Sequence, residues 1–139
     1  MATVELRIPP TTAHVRTARL VGVAAAHRAG LAEDLVDELR LALGEACSRA
    51  VALHMAHAPN RPVEVVLRDE LGRLTIEVTD VGPAPSSHLA PVSALLTDSP
   101  GDPDVALAFL AGLVEDVEVM PTDTGTTVRL RWPLLAPVR

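Results

Sequence analysis

Apolar and polar positions alternate from the start of the chain. Val4-Glu5-Leu6-Arg7-Ile8 has the two-residue period of a strand with one buried face. Pro9-Pro10 ends it, because proline offers no amide to a strand ladder. Thr11 or Thr12 can cap the next segment, a predicted helix over about Ala13–Ala29 closed by Gly30. A second, longer helix is predicted from about Ala32 to His57. Its Leu35, Leu39, Leu43, Ala46, Ala50 and Leu53 recur at three- and four-residue steps and so share one face. Pro59-Asn60-Arg61-Pro62 stops it. Alternation then returns in Val63–Arg68 and Leu74–Thr79, joined through Asp69–Arg73 with Gly72 in the turn, which predicts an antiparallel hairpin. Residues 83–103 carry five prolines and read as a loop, expected to form a lid. Asp104–Val114 predicts a third helix. Val117–Met120 and Thr126–Trp132 predict a second hairpin with Asp123–Gly125 in its turn. The order predicts an α/β sandwich of the α+β kind. One mixed, mostly antiparallel sheet carries about three helices on one face, in a single domain over 1–139.

Composition removes several function classes. The 139 residues are 48% hydrophobic and 22% charged, a globular balance. The net charge is -6 and all 12 basic residues are arginine. With Phe109 and Trp132 the only aromatics, neither a basic nucleic-acid surface nor a base-stacking platform is expected. No apolar run reaches the ~18 residues of a membrane span, and MATVELRIPP lacks the pattern of a signal peptide. A cytoplasmic protein is therefore expected. Cys47 is the only cysteine, so no intrachain disulfide can form. His54 and His57 have no further Cys/His set to complete a zinc site. No Walker phosphate loop is present.

Two places carry candidate chemistry. Glu45 and Arg49 stand four residues apart on the second helix. Taken alone, they read as an exposed ion pair worth about 0.2–0.5 kcal/mol. Asp80 and Gly82 follow a strand directly, where Asp and Gly are common turn residues.

Read together, LALGEACSRAV at 41–51, VTDVGPAP at 78–85, DVALAFL at 104–110 and GTTVRLRWP at 125–133 resemble the ATP site of the GHKL superfamily. The nearest likeness is to its bacterial anti-sigma-factor serine kinases, and the resemblance implies a Bergerat-type fold. It places Glu45 at the general-base position and Arg49 where the family has a magnesium-binding Asn. It places Asp80 and Gly82 in the adenine-binding turn, and Thr126 in support of the adenine pocket. It further implies a sigma factor or an anti-sigma-factor antagonist as partner, and a homodimer. The chain departs from the family at Arg49, at Ala84 for a second Gly of the turn, and at Asp104 and Ala106 for glycines of a phosphate-binding box. Arg has five donors, no acceptor and a permanent charge, so it cannot ligate Mg²⁺ and is expected to pair with Glu45. Asp102 as helix cap and Asp104 would repel phosphate from the third helix. No metal is expected, and ATP binding is expected to be weakened. A regulator with impaired kinase activity is the expected function, and an active ATP-dependent serine kinase the alternative.

Overall fold

The structure is a computed structural model, and residues 2–84 and 103–134 are described. In chain order the elements are β1 (Ala2–Ile8), α1 (Thr12–Ala29), α2 (Glu33–His57), β2 (Val63–Glu70), β3 (Arg73–Asp80), α3 (Pro103–Leu113), β4 (Asp116–Pro121) and β5 (Thr126–Pro133). The strands form one five-stranded sheet in the order β1-β2-β3-β5-β4. All its pairings are antiparallel. The expected α+β architecture is the one observed, but the sheet is wholly antiparallel rather than mixed. The expected lid, apart from Pro83, Ala84 and Pro103, lies outside the described residues, as does Asp102.

Strand alternation decides which side chains face the helices. Val63, Val65 and Leu67 of β2 are buried together with Leu74, Ile76 and Val78 of β3 and Val128, Leu130 and Trp132 of β5. They meet Leu39, Leu43, Ala46, Cys47 and Ala50 of α2 and Leu107 and Leu110 of α3 in one core. The helix α2 is thus the central helix of the layer on the sheet, and its predicted apolar stripe is the face turned inward, with Leu35 only partly buried. Helix α1 lies close against it, because a Cβ added at Gly22 would stand 2.3 Å from the Leu43 side chain. Gly30 closes α1 in the left-handed conformation at φ 84, with its amide donating to the His27 carbonyl. Glycine adopts that geometry without a Cβ clash. Thr11 is the N-cap residue, but its hydroxyl bonds the His14 ring at 2.6 Å instead of a backbone amide.

The opposite face of the sheet is closed by charge. Glu77 of β3 pairs with Arg68 of β2 and with Arg129 of β5. Arg129 and Arg131 reach Glu118 on β4, and Arg131 also reaches Asp116. The register sets Glu77 directly opposite Arg129, and Arg129 opposite Glu118. Opposite charges in such cross-strand positions attract.

Candidate functional site

The site lies where the C-terminal half of α2 meets the end of β3 and the start of β5. Asp80 is the last residue of β3, paired across the ladder with Thr126, the first residue of β5. Its carboxylate has no solvent exposure. A bare buried carboxylate is costly, so both oxygens need partners. The Oδ1 accepts from the Gly82 amide at 2.9 Å. The Oδ2 accepts from Nη1 of Arg49 at 2.8 Å. Arg49 is itself buried in α2.

This corrects the expected Glu45–Arg49 pair. The partner of Arg49 is Asp80, 31 residues away in sequence. The face of α2 that carries Arg49 turns toward the end of the sheet, not to solvent. A carboxylate already enclosed there gains far more from a counter-charge than a half-exposed Glu45 would. Glu45 makes no ion pair among the described residues. Glu38, on the same helix, accepts a hydrogen bond from the Trp132 indole at 2.6 Å and ties α2 to β5.

Two glycines let the backbone close around this pair. A Cβ on Gly82 would stand 2.9 Å from Leu53, and one on Gly125 would stand 1.9 Å from the Asp80 carbonyl oxygen. Gly125 therefore lets the β4–β5 turn press directly on the Asp80 backbone. The Thr126 hydroxyl is buried without a hydrogen-bond partner, as is Nε of Arg49.

His54 sets the path of the chain on either side of the pair. Its Nδ1 donates to the Arg61 carbonyl at 2.8 Å, and its Nε2 accepts from the Val81 amide at 3.0 Å. Those two bonds require the neutral ring with the proton on Nδ1. The residue thus clamps the loop after α2 to the Asp80–Gly82 turn. Motif reading treats this histidine as one half of an incomplete metal pair. Only the fold reveals the clamp, because neither backbone partner leaves a side-chain signal. Cys47 packs in the core. Burial pushes its thiol up to about 12, against a smaller lowering by Arg19, so it is not a nucleophile.

The fold family implies adenosine triphosphate held with magnesium, and Arg49 does not fit the place of a metal ligand. Arg49 supplies donors only, where a magnesium ion needs an oxygen ligand. Each oxygen of the Asp80 carboxylate already accepts one bond from within the chain. Of the residues expected from the family motifs, the fold brings Arg49, Asp80, Gly82 and Thr126 together. Glu45 stands one turn earlier on α2, and Ala106 lies in the first half of α3.

The comparisons with known proteins agree with this architecture. A family model described as the histidine kinase-like ATPase domain matches residues 8–132. The chain therefore belongs to the histidine kinase-like ATPase family, the GHKL group. Thirteen chains of solved structures match. Among them is the crystal structure of the RsbU and RsbW domains of Rv1364c from Mycobacterium tuberculosis, at 20% identity and a TM-score of 0.70. That match covers 100% of this chain and 34% of the other, so this chain spans about a third of that protein's length. At that identity the likeness is one of fold. No curated protein matches. Among the described residues, no helix is long and apolar enough to cross a membrane.

Proposed function

We propose that this protein is an anti-sigma-factor-like regulator that acts by protein–protein contact and has lost most or all of the family's phosphoryl transfer. Its partner is a sigma factor, an anti-sigma-factor antagonist, or both. It works in the cytoplasm as one domain over 1–139, as a homodimer, with 83–103 as the former lid. The observation that carries this reading is the buried Arg49–Asp80 pair. A guanidinium stands where a metal-binding amide is expected, and it is bonded to the carboxylate expected to read adenine. Glu45, though at the base position, then has no bound phosphate donor to serve.

One observation favours the alternative, an active ATP-dependent serine kinase: among the described residues, Glu45 is not held in an ion pair. Two measurements separate the readings. Calorimetric titration with ATP, with and without magnesium, should show no saturable binding at micromolar nucleotide. Partner proteins captured from bacterial cytosol by the tagged chain should bind equally well with and without ATP and magnesium. Magnesium-dependent transfer of labelled phosphate to a captured antagonist would establish the kinase instead.

A further inference from the structure

One end of the sheet carries a projection and a depression side by side. The projection is Leu71. It and Gly72 form the two-residue turn between β2 and β3, and both have positive φ, 56 and 72. Such turns favour Asn-Gly, because a branched side chain is strained in the left-handed region. Leu71 is also 95% exposed, so no contact within the chain offsets that strain. An asparagine would relieve both faults at once.

The depression opens at the same end, between α1 and the first three strands. It is a cavity of about 350 Å³ whose lining includes Val4, Val21, Ala25 and Leu74, with Arg28 and Asp69 among its polar residues. The register places it next to the turn, since Ala2 pairs with Asp69 and Asp69 pairs with Leu74. Val4 is itself an exposed large apolar residue. Neither Arg28 nor Asp69 is in an ion pair among the described residues. The cavity is at the small end of ligand-pocket volumes and roomy enough for one leucine side chain.

An apolar knob beside an apolar hole, with one free cation and one free anion among the lining residues, is a self-complementary surface. We infer that a second copy of this chain docks here about a two-fold axis. Each Leu71 enters the other copy's cavity, and each Arg28 faces the other copy's Asp69. A two-fold contact presents the same patch twice, so a surface complementary to itself is the feature it requires. This inference specifies the homodimer of the proposed function and rests on that part of it.

Sedimentation velocity of the full chain over a micromolar concentration series tests it. The wild-type chain should dimerise. Leu71→Asn should weaken the dimer at least about tenfold, while the melting temperature of the monomer stays level or rises. R28D and D69R should each weaken association, and mixing the two should restore it, because only the mixed dimer regains both cross-pairs. A wild-type chain that stays monomeric would overturn the homodimer and this contact together. A wild-type dimer undiminished by Leu71→Asn, or R28D and D69R that fail to rescue each other, would overturn this contact alone.

Discussion

Arg49 and Asp80 hold each other in a site neither could occupy alone. The guanidinium lies 2.8 Å from Oδ2, and both side chains are almost wholly out of solvent. Removing one charge leaves the other buried and uncompensated. Arg49→Ala should therefore cost about 3–5 kcal/mol in urea denaturation. The double change Arg49→Met with Asp80→Asn removes both charges and should recover most of that loss. A double variant as unstable as Arg49→Ala would show that the pair is not what couples the two positions.

The His54 clamp predicts a local as well as a global effect. His54→Ala leaves the Arg61 carbonyl and the Val81 amide without their side-chain partner in a partly buried setting. The expected destabilisation is about 2–5 kcal/mol. In native-state hydrogen exchange the Val81 and Gly82 amides should lose protection before the centre of β3 does. Uniform loss along β3 would contradict the clamp.

Gly125 and Gly72 offer a paired comparison. A Cβ at Gly125 meets backbone that cannot step aside, whereas one at Gly72 meets nothing within 4 Å. Gly125→Ala should destabilise by about 3 kcal/mol. Gly72→Ala has only its left-handed φ against it and should cost about 1–2 kcal/mol. Thermal melts of the two variants should fall in that order.

The charged sheet face predicts an acid-sensitive contribution. Burial raises the Glu77 carboxyl, but hydrogen bonds and charge from Arg68 and Arg129 outweigh it and hold the group below its ordinary value. A depressed folded-state value means that the stabilisation is present above the unfolded value, near 4.3. It is lost as the pH falls through the folded value. Glu77→Gln should lower stability at pH 7 by under about 1 kcal/mol and flatten the acid side of the stability–pH curve. Added salt should shrink the difference at pH 7.

Much of this architecture is legible in the chain's periodicity. The alternation at Val63–Arg68 and Leu74–Thr79, and the three- and four-residue steps from Leu35 to Leu53, mark the hairpin and the central helix directly. Asp80 and Gly82 stand out because a strand ends there. The partner of Arg49 does not, because spacing along a helix reveals only neighbours one turn away. A Glu at four residues therefore looks like the natural mate. What decides the pairing is depth, and depth depends on how α2 docks on β3. Gly125 looks like an ordinary turn glycine until the Asp80 carbonyl is found beneath it. Leu71 looks like a misplaced apolar residue until its conformation and exposure are seen together.

The lattice of arginines and carboxylates over the outer side of the sheet also bears on recognition. Its charges already satisfy one another across four strands, so a visiting apolar surface would have to strip their water and would find few unmet bonds in return. Encounters are thereby diverted to the helical side and to the ends of the sheet. That side is therefore expected to take little part in recognition, leaving the choice of companions to the corners of the molecule.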